Sequence, residues 1–329
     1  MIPIFDPHVL AHGRRDFEIA NRVNARANMA PILDSNILAQ DRRDFERTSR
    51  VGERPNMVPI FDHHIHMDAR DCNGYEAMAL ASVERVLVPC SPTGERKASR
   101  QAWSDRFDRL LEFEARRAET FGIQLCAALA VCASDAADPE SAIAGVDEVV
   151  KRLGRPRVVA IGELCMRAFS DLDIELFTRQ LRLANELDYP VIVEAPIEMQ
   201  AFERMLLELE HSIAAGFATP RRISLIDVNY EKIKAARSLN LGAYGVPVSP
   251  KIDGLFCIRE KLDHHEVLHI LDEFGPNGLM LNSGLHVGFA DPLGLPKTIL
   301  RLRMHGLDVD TLRALAMENA DGFFQPSCA

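Results

Sequence analysis

Pro59-Ile60-Phe61-Asp62-His63-His64-Ile65-His66-Met67-Asp68 begins as a short apolar run and ends with three histidines in four positions. Successive side chains of a strand point to opposite faces, so a strand here places His64 and His66 on one face and turns Ile65 away. Two imidazoles two residues apart on one face can hold a single metal ion, because their ring nitrogens converge. Taken alone, the pair would serve equally well as a satisfied histidine couple. The rest of the chain decides between the two.

Downstream, short β-like runs alternate with amphipathic runs of helical length. Strands are expected at 58–63, 85–90, 123–131, 157–162, 190–194, 222–228, 241–248 and 278–282. Helices are expected at 74–83, at Trp103–Thr120, where Phe107, Leu110, Leu111 and Glu114 recur at helical spacing, and from Asp171, where acidic residues suit the positive end of a helix. His264 and His265, beside Asp263 and Glu266, read as the solvated face of a further helix. Strands alternating with helices imply a parallel sheet, and eight such units in roughly 270 residues fit a closed (β/α)8 TIM barrel. A doubly wound open sheet is the alternative, but no glycine-rich turn follows the first strand to cradle a dinucleotide.

Barrels of this kind place their chemistry at the C-terminal ends of the strands. Those ends are Asp62 to His66, Glu163, Glu194, Asp227, and Asn282 to His286, with Cys90, Cys132 and Ser249 on the remaining three. Carboxylates gathered at the mouth of an acidic barrel repel one another unless a cation sits among them. The pattern therefore points to a metal site, with Lys251 placed after strand 7 to hold an anionic substrate group. Cys165, two residues past Glu163, reads as an inert buried thiol.

Upstream, the opening stretch is repeated with a period of 28. Met1-Ile2-Pro3-Ile4-Phe5-Asp6, Met29-Ala30-Pro31-Ile32-Leu33-Asp34 and Met57-Val58-Pro59-Ile60-Phe61-Asp62 are copies of one another. Only the third has the paired histidines; the matching positions hold His8 and Leu10 in the first copy, Asn36 and Leu38 in the second. Solenoids need about three or more mutually stacking units, and here the third copy continues into different sequence. Residues 1–56 thus read as a weakly ordered N-terminal extension with two degenerate copies of the first-strand motif, and 57–329 as the barrel domain, which starts at the third copy.

Composition narrows the function. The 329 residues are 47% hydrophobic and 26% charged, the balance of an ordinary globular protein. A net charge of -10 argues against a stable nucleic-acid partner, since phosphate binding needs a basic face. No apolar run approaches the roughly 20 residues of a membrane span. Seven cysteines without a C-x-x-C pair read as reduced core thiols, which makes a cytoplasmic location the expectation. The expected partner is a small-molecule substrate; the oligomeric state has no signal in the sequence.

Residues 57 to about 325 resemble the TatD-like branch of the metal-dependent amidohydrolase superfamily, most of all the TatD-related proteins of bacterial ebo-type gene clusters. The likeness rests on Phe61-Asp62-His63-His64-Ile65-His66-Met67, on Ile161-Gly162-Glu163 followed by Gln180-Leu181, on Ala290-Asp291-Pro292-Leu293-Gly294-Leu295-Pro296-Lys297-Thr298, and on Asn319-Ala320-Asp321-Gly322-Phe323-Phe324. Ala320 replaces a proline usual in the family. The resemblance implies one or two metal ions held by the strand 1 His-x-His, the strand 4 Glu, a His on each of strands 5 and 6, and an Asp on strand 8. This chain has Glu194 on strand 5, Val228 with Asp227 beside it on strand 6, and His286 on strand 8. Two of these three exchanges still supply ligand side chains, which argues for a retuned site over a decayed one.

The expected metal ligands are His64, His66, Glu163, Glu194 and His286, with His286 and Asp227 as catalytic residues and a divalent ion such as Zn, Mn or Fe. The expected activity is metal-dependent hydrolysis of a phosphoester, ester or amide in a small molecule. Two alternatives stand beside it. One is a dioxygen-using di-iron or di-manganese oxygenase, motivated by the carboxylate at Glu194. The other is a non-catalytic binding protein with an eroded site.

Overall fold

Eight parallel strands follow one another around the sheet in sequence order: β1 (Ile60–Asp62), β2 (Val83–Pro89), β3 (Gln124–Leu129), β4 (Val158–Leu164), β5 (Val191–Glu194), β6 (Ile223–Ile226), β7 (Ala243–Pro247) and β8 (Leu279–Asn282). This computed structural model describes residues 58–67, 70–90, 95–250, 261–285 and 291–325. The ring closes just past the first and last strands, where Ile65 bridges Leu285 in parallel and the His66 N–H donates to the Leu285 carbonyl at 2.9 Å. The architecture is the (β/α)8 barrel that the alternation of runs implies. Its first strand comes from the third copy of the repeat; the two earlier copies lie outside the described residues.

Strand position was legible because a parallel strand is covered on both faces and so reads as a continuous apolar run. Val158–Leu164 is buried at every residue. One face of the sheet fills the lumen with Phe61, Leu87, Ala128, Ala160, Ile192 and Met280. Phe324 reaches this interior cluster from the C-terminal helical segment, its ring 6.2 Å from that of Phe61. Asn319 ties this segment to the start of β8, donating to the carbonyls of Pro276 and Leu279 at 2.7 Å each.

The helices begin where side chains satisfy the free N–H groups of a first turn. Asp71 accepts from Gly74 N at 2.8 Å, so α1 runs Cys72–Leu80, two residues ahead of the expected start. Ser99 caps α2 (Arg100–Asp108), which continues through a π turn (Arg109–Glu114) into α3 (Ala115–Glu119). The expected single helix over Trp103–Thr120 is therefore longer and locally widened, and Leu110, Leu111 and Glu114 of the π turn are all buried. Pro139 starts α4 (Pro139–Val150), and Ser170 with Asp173 forms a capping box on α5 (Asp171–Glu186). The remaining helices before the C-terminal segment are α6 (Met199–Ala214), α7 (Tyr230–Ala236), α8 (His264–Phe274) and α9 (Gly294–Met304). Among the described residues, no helix is long and apolar enough to cross a membrane.

A buried charge cluster pins α2 to α4. The Arg152 guanidinium donates to both Asp108 carboxylate oxygens at 2.9 and 2.6 Å and to Glu148 Oε2 at 2.8 Å. Removing one member of a buried ionic group leaves the others uncompensated, so Arg152→Ala should cost about 3 kcal/mol in urea unfolding. Hydrogen bonding from Lys151, opposed by burial and reinforced by Arg152 and Arg100, holds the Glu148 carboxyl down from 4.5 to about 2. A depressed folded-state value stabilises above the unfolded value and loses that contribution as pH falls. Glu148→Gln should therefore flatten the fall in stability between pH 4.5 and 2, measured as urea midpoints across that window.

Candidate metal centre

The histidine pair is built by the way β1 joins β8. Asp62 at the end of β1 accepts from Ser283 N at 3.0 Å, and Gly284 N donates to the His64 carbonyl at 3.1 Å. These bonds carry the sheet through residues 64–66. Ile65 packs into the outer core, while the rings of His64 and His66 lie together with centroids 5.7 Å apart. The expected sharing of a face is what the structure shows.

Glu163 enters from β4. Its Oε2 lies 2.9 Å from His64 Nε2, and both side chains are fully buried. The preceding residue must be glycine, because a Cβ on Gly162 would sit 2.7 Å from Ile192 Cβ and 3.0 Å from Ile192 O on β5. One ligand atom each from His64, His66 and Glu163 gathers within 4.8 Å. Ligand atoms about 2.1 Å from a tetrahedrally held ion are about 3.4 Å apart, so this trio suits a divalent metal. Two imidazoles and a carboxylate are also the donor chemistry that Zn, Mn and Fe accept.

Asp227 follows β6 with a left-handed backbone (φ 58°), a conformation that Asp tolerates better than most residues. Its Oδ1 lies 3.5 Å from His64 Nδ1, so His64 stands between carboxylates from strands 4 and 6. Glu194, at the end of β5, is 2% exposed and its Oε2 lies 2.6 Å from Arg167 Nη2, on a side chain 40% exposed. The strand 5 carboxylate is thus drawn toward a cation from the loop after β4, and the group gathered within 4.8 Å consists of His64, His66 and Glu163. His286 and Lys251 lie outside the described residues.

Three features at the site escaped the sequence reading. His63 fills the lumen below the pair, its Nε2 3.3 Å from Asn282 Nδ2 and its ring stacked on Phe324. Gly245 makes the room, since a Cβ there would fall 2.6 Å from His63 Nε2. Burial, and then the neighbouring His64, lowers His63 to about 3 and keeps the ring neutral. Burial also raises Asp62 to about 6, against the opposing hydrogen bonds from Ser283. The second feature is Arg167, for which only its place after strand 4 offered any signal.

The third is a proximity: Cys132 and Cys165 lie side by side, with Cα atoms 6.1 Å apart and their sulfurs in contact. They end adjacent strands, and a separation of 33 residues hides that proximity. Cys132 Sγ also lies 3.5 Å from the Glu163 carbonyl oxygen. Of the other described cysteines, Cys90 and Cys126 are buried and Cys72 is exposed. Gln180 holds the end of β3 in place, bonding Val131 N at 2.8 Å and Val131 O at 2.9 Å.

Fold and site together define a (β/α)8 barrel with a candidate metal-binding group at the C-terminal ends of strands 1 and 4. Comparison with known proteins gives that class a narrower setting. The chain is 25% identical over 263 residues to an uncharacterised metal-dependent hydrolase of Methanocaldococcus jannaschii, covering 80% of this chain and 98% of that protein. A TatD-like protein of Archaeoglobus fulgidus shares the fold with a TM-score of 0.62 and 22% identity, over 80% of this chain and 99% of its own. A phosphotriesterase homology protein of Escherichia coli, solved with phosphate in its active site, aligns with a TM-score of 0.56 and 16% identity, over 82% of this chain and 100% of its own. No family model matches the chain. The chain is thus similar over most of its length to a metal-dependent hydrolase and shares its fold with a TatD-like protein.

Proposed function

We propose that this protein is a metal-dependent hydrolase acting on a phosphoester, ester or amide bond of a small molecule. The observation that carries the reading is the convergence of His64, His66 and Glu163 at the barrel mouth. These three residues would hold the ion. A divalent ion there supplies Lewis acidity, polarising the substrate oxygen and making water a stronger acid.

The protein's own groups divide the remaining work. Asp227 Oδ1 lies 3.5 Å from His64 Nδ1, a proximity that favours the proton on Nδ1 and would leave the Nε2 lone pair for the ion. Asp227 and His286, from strands 6 and 8, are assigned the proton of the attacking water. Arg167, more exposed than its partner Glu194, and Lys251 are assigned the negative charge of the substrate. Glu194 would join the ion as a ligand only by giving up its bond to Arg167. That ion pair weakens the motive for an oxygenase, which was the exchange of a His for the Glu194 carboxylate as a ligand on strand 5. A trio with three buried ligand side chains gives no support to an eroded binding protein.

On the motifs at Phe61–Met67 and Ile161–Glu163 we place the chain nearest the TatD-related proteins of ebo-type clusters, in the cytoplasm, with residues 1–56 as an extension. The activity is tested by stripping the full-length protein with chelator and restoring Zn, Mn or Fe(II). Chromogenic phosphodiesters, phosphomonoesters and carboxylic esters then report turnover. Turnover should fall at least about a hundredfold on chelation and return with metal. Absence of turnover on all three with every metal would overturn the reading.

A further inference from the structure

A second group of imidazoles gathers where two helix ends meet. His264 and His265 are the first residues of α8, and His305 directly follows α9. His264 Nε2 lies 3.0 Å from His305 Nε2, and one ligand atom from each of the three rings falls within 4.8 Å of the others. The ring centroids are 4.1 Å apart for His264 and His265, 4.6 Å for His264 and His305, and 5.0 Å for His265 and His305. The expectation of a wholly solvated face is corrected here: His264 is only 7% exposed, while His265 and His305 are exposed.

From this juxtaposition we propose that His264, His265 and His305 form a second, surface metal site for an imidazole-preferring transition ion such as Zn²⁺, Co²⁺ or Ni²⁺, which cross-links α8 to α9. Adjacent residues on a helix do not normally face each other, so the close approach of His264 and His265 is a specific arrangement. It is built on rigid backbone. The Asp263 carboxylate accepts from His265 N at 2.9 Å and from Glu266 N at 3.1 Å, and Glu266 Oε2 returns a bond to Asp263 N at 2.9 Å. At the other end His305 N donates to the Arg301 carbonyl at 3.0 Å.

The fold itself does little to explain His264. Its Nδ1 is buried without a hydrogen-bond partner, so contact with two other imidazoles is what defines the ring's surroundings. A ring needed only for packing would not require nitrogens there. Three nitrogens on one tetrahedral ion are about 3.4 Å apart, between the shortest separation seen and the outer limit of the group. The small adjustment falls on His265 and His305, which are exposed and free to change rotamer. An all-nitrogen set selects against Mg²⁺ and Ca²⁺, which take oxygen ligands. Three protein ligands also leave the ion a fourth position open to solvent.

The inference does not depend on the barrel-mouth reading, and the test separates the two. Full-length protein stripped with chelator is titrated with Zn²⁺ by calorimetry and with Co²⁺ by visible absorbance. The samples are wild type, His66→Ala, His305→Gln and the His265→Ala/His305→Ala pair. The paired variant should bind about one equivalent less than wild type while keeping the class of binding that His66→Ala removes. His305→Gln should weaken the second class at least tenfold, and millimolar Mg²⁺ should not displace it. Zn²⁺ should raise the melting temperature of His66→Ala but not that of the triple variant lacking His265 and His305 as well. Far-ultraviolet circular dichroism confirms that the variants are folded. Identical stoichiometry and affinity in wild type and the paired variant would overturn the proposal, as would the absence of any binding in His66→Ala.

Discussion

Glu163→Gln is expected to remove the barrel-mouth metal and the hydrolytic activity together while leaving the fold intact. Glutamine keeps the shape of the side chain but not its charge, and an amide is a poor ligand for Zn, Mn or Fe beside two imidazoles. His64 would also lose the carboxylate that lies 2.9 Å from its Nε2. Metal affinity at this site should fall by about two orders of magnitude or more, and kcat/KM on the best ester by about a thousandfold. Stability should fall little, because a buried charge is replaced by a neutral group of the same volume. Chelator competition and steady-state kinetics on the same preparations measure both effects. Full metal retention with full activity would show that the ion is held elsewhere.

Glu194→His carries the second large effect, and its direction separates reaction classes. The change introduces the imidazole that the TatD-like pattern has on strand 5 and frees Arg167 from its 2.6 Å ion pair. For a hydrolase, metal should be retained and turnover kept or raised, with a second equivalent of metal able to bind beside His64 and His66. For an oxygenase that uses the strand 5 carboxylate, the same change should abolish activity. Arg167→Ala is the companion variant. It leaves Glu194 buried beside the site without that cation, at a cost of about 1–2 kcal/mol once the exposure of Arg167 is allowed for. KM for anionic substrates should then rise more than kcat falls, because Arg167 is assigned to binding. Equal changes for neutral and anionic esters would remove Arg167 from the substrate site.

Much of this was legible along the chain because parallel barrel strands announce themselves. Val158-Val159-Ala160-Ile161 is apolar throughout and then breaks at Gly162-Glu163, which marks both the strand and its functional end. The alternation His64-Ile65-His66 likewise specified a shared face, since residues two apart on a strand point the same way. Element ends were less legible: the start of α1 is set by the Asp71 cap and the course of α2 by a π turn, local chemistry that periodicity averages away. Pairings made by tertiary structure left almost no trace. Arg167 and Glu194 come from different strand ends, Cys132 and Cys165 from neighbouring strands, and His264 and His305 from two separate helices. His63 was in plain view, but its role in the lumen depends on Gly245 and Asn282, more than 180 residues away.

The central claim is that an ion held by His64, His66 and Glu163 performs hydrolysis. Its most direct test follows metal content and ester or phosphoester turnover on the same samples of full-length protein through a chelator titration. The two quantities should fall together, reach zero together and return together when one divalent metal is restored, with His66→Ala fixed at the bottom of the curve. Turnover that persists after the barrel-mouth metal has gone, or that survives in His66→Ala, would contradict the account.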